Sequence, residues 1–229
     1  MKYFNLDVIK GAISLIKDGN DTREHVTSRA TSGMLSFYFR PENSFIITPE
    51  QTQLGGKRPD YTIERFNLGT TEFIHHCFVE VKSLVNSNIG NILNQLHDTV
   101  LFTMDHSGNY SAFMIAVKGT KIAFYTYHTF SSLLDENGIL HYKGFIPLNY
   151  QIPSVNYIGI NECNLLNYDN YVRLQKFHTS SSYLSDLGAL SNDNIKHPHI
   201  LDLLNEKHKE EIHRMFLHVV ENTSNIFKD

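Results

Sequence analysis

The chain has no tryptophan and only two cysteines, Cys77 and Cys163, in 229 residues. Two thiols cannot build a disulfide framework or a cysteine-rich zinc site. A reducing compartment, the cytoplasm, is therefore expected. No run of about 18 apolar residues occurs, so no membrane-spanning helix is expected and no membrane partner. The segment Met1–Asp7 carries an early acid and no long apolar stretch, which does not fit a Sec signal peptide. An excess of positive charge is also missing: 20 Lys and Arg stand against 24 Asp and Glu, for a net charge of −4. That argues against a broad nonspecific nucleic-acid coat and leaves room for a local basic groove. Proline (6) and glycine (13) are too sparse for a collagen-like chain. A 41% hydrophobic content is that of an ordinary globular protein with a buried core, not of a disordered chain.

Hydrophobic spacing predicts a helix over Leu6–Lys17, stopped by Asp18-Gly19-Asn20. A second helix is expected from an Asp21 or Thr22 cap to about Phe39, ended by Pro41. The period then changes. Ser44–Thr48, Arg58–Phe66 and Glu72–Lys82 read as strands, the last two joined as a hairpin through Asn67-Leu68-Gly69-Thr70. Pro59 suits only the first position of its strand. Ile89–Asp105 has a helical apolar stripe (Ile92, Leu93, Leu96, Val100, Met104), and Ser111–Val117 and Lys121–His128 read as strands around a Lys118-Gly119-Thr120 turn. Beyond about residue 130 the pattern weakens, with Asn164–Phe177 a further helix candidate and a final helix expected from His199 to about Asn222. The expected organisation is a core over 1–130 and an extension over 131–229, which packs on the core or forms a dimer or partner face.

The chemistry concentrates in Pro59-Asp60 and Glu80-Val81-Lys82, at the start of one predicted strand and the end of the next. Residues two apart in a strand share a face, so Glu80 and Lys82 point one way and Val79 and Val81 the other. In an antiparallel pair the start of one strand lies near the end of its neighbour, which brings Asp60 toward Glu80. Two converging carboxylates form a hard-oxygen site suited to Mg²⁺ or Mn²⁺, with the Val81 carbonyl a further ligand candidate. Lys82 beside them can orient a water or stabilise charge growing on a phosphate. The plain alternative is a strand-capping Asp60 and a same-face Glu80–Lys82 ion pair worth under about 1 kcal/mol.

These motifs and this element order resemble the PD-(D/E)XK nuclease superfamily over roughly residues 21–128, with Arg58-Pro59-Asp60 in the place of the first acid and Glu80-Val81-Lys82 in that of E-x-K. The resemblance implies an α/β fold with a restriction-endonuclease-like αβββαβ core, its mixed sheet flanked by helices. It also implies a divalent metal and hydrolysis of phosphodiester bonds in DNA or RNA, more in the manner of an endonuclease. Asp60, Glu80 and Lys82 would be catalytic, with Asp60, Glu80 and Val81 on the metal. Gln95 matches the Gln of a Gln-x-x-x-Tyr found in some members, while Thr99 stands at the Tyr place. Glu24 is the candidate for the acid that many members carry on the first core helix, with Glu50 the other choice. His25 is placed like a histidine of cap-snatching relatives. The rival readings are a noncatalytic nuclease-like fold that binds nucleic acid or protein, and a toxin or effector using the same chemistry.

Lys57 and Arg58 are candidate phosphate contacts or simply an exposed turn, and Arg23, Arg29 and Arg40 on the second helix line a substrate groove or form its solvent face. His75-His76 cannot share one metal, since neighbours in a strand face opposite ways; by parity His76 shares the face of Glu80, although a packed histidine is the plainer reading. Cys77 alternates onto the Val79 and Val81 face and reads as core. The late histidines lack zinc-enzyme spacing, Gly55-Gly56 lacks the Lys-Ser/Thr of a phosphate loop, and no Gly-x-Ser-x-Gly supports a serine nucleophile.

Overall fold

The segment Cys77–Val81, apolar except for Glu80, lies in the middle of a mixed sheet, buried on both faces. The computed structural model describes residues 2–17, 24–50, 59–84, 92, 95, 96, 98, 99, 111–128, 144–147 and 200–222. Two helices come first, α1 (Asp7–Lys17) and α2 (Glu24–Tyr38), followed by strands β1 (Phe45–Pro49), β2 (Tyr61–Asn67) and β3 (Glu72–Lys82). Ile92, Gln95, Leu96, Asp98 and Thr99 are helical and lie on the crossover to β4 (Ser111–Lys118). Then come β5 (Lys121–His128), β6 (Gly144–Pro147), β7 (Ile200–Asp202) and α3 (Glu206–Glu221). Strand order is β1-β2-β3-β4-β5-β6, and β7 also pairs with β5. Among the described strand pairs only β3–β4 is parallel, as the crossover demands. β6 pairs with Tyr125–His128 and β7 with Lys121–Ala123, so the two share one edge of β5.

One face of the sheet packs on α1, α2 and α3. Val79, Val81, Ile115, Val117 and Phe124 join Ile9 and Ile13 of α1, Ala30 and Met34 of α2, and Met215, Phe216 and Val219 of α3 in a single hydrophobic cluster. Segment 200–222 therefore shares the core built by the first 50 residues. Phe78, Met114, Ala116, Ala123 and Tyr125 are buried on the other face, and Ile92 and Leu96, also buried outside that cluster, assign the crossover helix to it. Among the described residues no helix is long and apolar enough to cross a membrane.

Three expectations change. The second strand starts at Tyr61, not Arg58: Pro59 has no N–H for the ladder, and Asp60 bends away with its carbonyl accepting from Glu50 N at 3.0 Å. The final helix starts at Glu206, because Asn205 accepts from Lys207 N at 3.0 Å and caps it. The segment Ile200–Leu204 ahead of it, apolar except for Asp202, instead supplies β7 and a turn. Third, His76 leaves the face of Glu80. The β2–β3 register passes from Ile63↔Cys77 to Glu64↔His75, so His76 is the extra residue of a bulge. It turns onto the helical face, packing on Phe45 and Phe113, and its Nε2 lies 2.6 Å from the Val219 carbonyl. Cys77 is a buried free thiol on the Val79 side, as read. β6 falls where no element was expected. The candidate helix Asn164–Phe177, the Asp21–Thr22 cap and most of Ile89–Asp105 lie outside the described residues.

The β4–β5 turn fixes this end of the sheet. Among its two residues only Gly119 has a positive φ, of 56°, the pattern of a type II′ turn. Its N–H donates to Lys82 O at 3.0 Å, and a Cβ there would stand 2.8 Å from Leu84 Cδ1. Gly119→Ala is expected to destabilise the fold by about 1–3 kcal/mol through backbone strain and this clash, read by urea denaturation.

Candidate active site

Asp60 sits where the chain leaves the ladder, and its carboxylate takes the place of the missing ladder acceptor: Val81 N–H donates to Asp60 Oδ2 at 2.6 Å. The strand-capping and acidic roles of Asp60 thus coincide. Glu80 and Lys82 share the face opposite Val79 and Val81, as strand parity predicts, and Lys82 Nζ donates to Glu80 Oε1 at 2.5 Å. The same ammonium lies 3.8 Å from Asp60 Oδ2 and 3.8 Å from Glu24 Oε2. Glu24 reaches it from the first turn of α2, which Tyr61 holds against β2 by donating its hydroxyl to Ser28 O at 3.2 Å.

Three carboxylates around one ammonium leave net negative charge at the end of β3. The side chain of Glu80 is 4% exposed, that of Lys82 18%, and that of Glu24 47%, so the group opens to solvent on the Glu24 side. Glu80 Oε2 is buried with no hydrogen-bond partner among the described residues. Burial, helped by the charge of Asp60, pushes the Glu80 carboxyl up from 4.5 to about 7, against the opposing pull of Lys82 and the Asp60 N–H. Burial also raises Asp60, against the Val81 N–H and Lys82, and the charge of Glu50 adds to the rise. Burial lowers Lys82, but its bond to Glu80 and the charges of Glu80, Asp60 and Glu24 outweigh that and hold it above the ordinary lysine value. A buried acid left half-satisfied and balanced near neutrality costs stability, and such costs gather at functional sites.

Glu50 is exposed with a φ of 45°, and its backbone and charge both act on Asp60. Gln95 is exposed on the crossover helix; Thr99 turns inward, buried, and donates to Gln95 O at 2.9 Å. His25 and Arg29 are exposed on α2, and Arg40 lies over the Phe37 ring at the opposite end of that helix. Lys57, Arg58 and Arg23 lie outside the described residues.

Among the described residues no cluster of three or more His, Cys, Asp or Glu is spaced to hold a metal ion by itself. Asp60 and Glu80 nonetheless fit Mg²⁺ or Mn²⁺. These ions take one or two protein carboxylates and fill their other positions with water and substrate phosphate, and the orphaned Glu80 Oε2 is a hard donor in want of a partner. Comparison with protein-family models, with curated proteins and with solved structures finds no match for this chain.

Proposed function

We propose that the chain is a divalent-metal-dependent nuclease with a restriction-endonuclease-like core formed by α2, β1–β3, the crossover helix and β4. The observation that carries this reading is the convergence of Asp60, Glu80 and Lys82 at the end of β3, with one oxygen of Glu80 buried and without a partner among the described residues. The substrate is DNA or RNA, cut more as an endonuclease cuts. Water adds to phosphorus, one P–O ester bond breaks, and the leaving oxygen takes up a proton. Bound Mg²⁺ or Mn²⁺ supplies Lewis-acid polarisation and a more acidic water. Asp60 and Glu80 hold the ion, with the Val81 carbonyl beside them. Lys82 orients the attacking water and offsets charge on the phosphate, a positioned donor in a site largely closed to bulk water. Glu24 and the exposed Gln95 are auxiliary, and Lys57-Arg58, two residues before Asp60, meet the phosphate backbone.

One observation favours the noncatalytic rival: Lys82 lies within 3.8 Å of all three acids and neutralises part of their charge without a metal. The experiment that separates the two is incubation with labelled single- and double-stranded DNA and RNA in Mg²⁺, Mn²⁺ or EDTA. Cleavage in Mn²⁺ or Mg²⁺ that EDTA stops is expected. Intact polymers under every condition would leave the binding reading standing.

A further inference from the structure

Lysines end three adjacent strands at the site. Lys82 of β3 pairs in register with Lys118 of β4, and Lys118 with Lys121 of β5. Val81, Val117 and Ile122, one position inward on each strand, all belong to the cluster under the helices. The three lysines therefore share the opposite face with Glu80, one strand spacing of about 4.8 Å apart. Like charges side by side on a sheet are unfavourable unless something offsets them. Lys82 has its three acids, and Lys121 Nζ bonds Asp202 Oδ2 at 2.7 Å. Lys118 has no hydrogen bond or ion pair among the described residues, although it is half-buried, and burial alone lowers its pKa. Its backbone is held on both sides, by the Gly119 N–H on Lys82 O at 3.0 Å and by Leu203 N–H on Thr120 O at 2.8 Å. A fixed cation beside a pair of acids, with no partner among the described residues in a row where its neighbours are already offset, is placed to take an anion.

We propose that Lys118 is a substrate-binding residue, its ammonium taking a non-bridging oxygen of the phosphate next to the one that Lys82 faces. This rests on the nuclease reading, which supplies a polyanion with regularly spaced phosphates. Lys121, drawn toward Asp202, borders the same path. A phosphate contact positions the backbone without reading sequence, so the effect is the same for every sequence tested.

The test measures binding of fluorescein-labelled oligonucleotides by anisotropy in Ca²⁺ and in EDTA, for the wild type, Lys118→Met and Lys118→Arg. Removing one phosphate contact should weaken binding roughly tenfold near 0.1 M salt and reduce the slope of log K against log salt by about one. Lys118→Arg should retain most of the affinity. In cleavage the loss should appear in KM rather than in kcat. Lys118→Met should melt at or above the wild-type temperature, because it removes a half-buried cation with no partner among the described residues. Unaltered affinity and salt slope in Lys118→Met, with oligonucleotide still bound by the wild type, would overturn the inference and leave the nuclease reading intact. A wild type that binds no oligonucleotide and cuts none would remove both. If Lys118→Met does not fold, Lys118→Gln is measured by the same criteria. Melting of both variants well below the wild type would overturn the inference by making the ammonium a structural one.

Discussion

Lys82→Ala is expected to lower metal-dependent cleavage by at least about 10³-fold while leaving a folded protein. The loss is large because one ammonium serves both the attacking water and the phosphate, in a site with no second described cation as near to Glu80. The fold survives because the acid left behind has a way out. Glu80 already sits near a pKa of about 7, and without Lys82 it takes up a proton instead of remaining a buried lone charge. Asp60→Asn gives an independent arm. The amide oxygen still accepts from Val81 N–H and keeps the strand cap, while the charge that would hold the ion is gone. Glu24→Gln, at an exposed position 3.8 Å from the ammonium, should cost only about tenfold. Rates on a labelled oligonucleotide in Mg²⁺ and Mn²⁺, with melting curves in EDTA, check all three. Wild-type rates in both Lys82→Ala and Asp60→Asn would end the catalytic reading, even if cleavage itself were seen.

The site was legible where strand parity governs. Glu80 and Lys82 on one face, with Val79 and Val81 on the other, follow from a period of two. The approach of Asp60 follows from the hairpin. Parity failed at His76, because a one-residue bulge re-aims a side chain and leaves no mark in the pattern of apolar residues. The final helix was drawn too long for a related reason. Ile200, Leu203 and Leu204 continue a helical spacing, but Asp202 answers Lys121 of β5 and also accepts from Leu204 N–H at 3.0 Å, which makes a turn just before Asn205. That tertiary partner is about 80 residues away and invisible to a local window. Lys118 did have a signal: like Lys82, it closes a buried apolar strand. Its meaning needed the parallel register, which no single strand encodes.

Acid should destabilise the protein in part through two histidines on the helical side of the sheet, and His76→Gln should remove about 3 kcal/mol of that loss. Burial lowers His76 from 6.5 to about 4, and His218, on the neighbouring turn of α3, likewise to about 4. Both lie against the Phe113 ring. His76 Nε2–H donates to the carbonyl of Val219 in the last turn of α3, a group that the helix itself leaves without a partner. Because the folded-state values are depressed, the folded protein binds fewer protons than the unfolded chain between pH 6.5 and 4. Stability is therefore full above 6.5 and falls as the pH drops through that window. Glu80 and Asp60 run the other way. Their raised values mean more protons in the folded state, so each adds stability on acidification, Glu80 between about 7 and 4.5. Glu80 and Asp60 thus offset part of the acid loss, while the lowered Asp202 and Glu210 add to it, and only a difference between proteins isolates His76. Urea denaturation in EDTA at pH 7.5, 6.5, 5.5 and 4.5 should show His76→Gln and wild type diverging below pH 6.5, the variant losing less. The glutamine amide can keep a donor on Val219 O without a proton to gain, so the two curves should lie closest at pH 7.5. Parallel curves down to pH 4.5 would mean that His76 titrates in the folded protein as it does in the open chain, and that its bond to α3 is not the neutral one described.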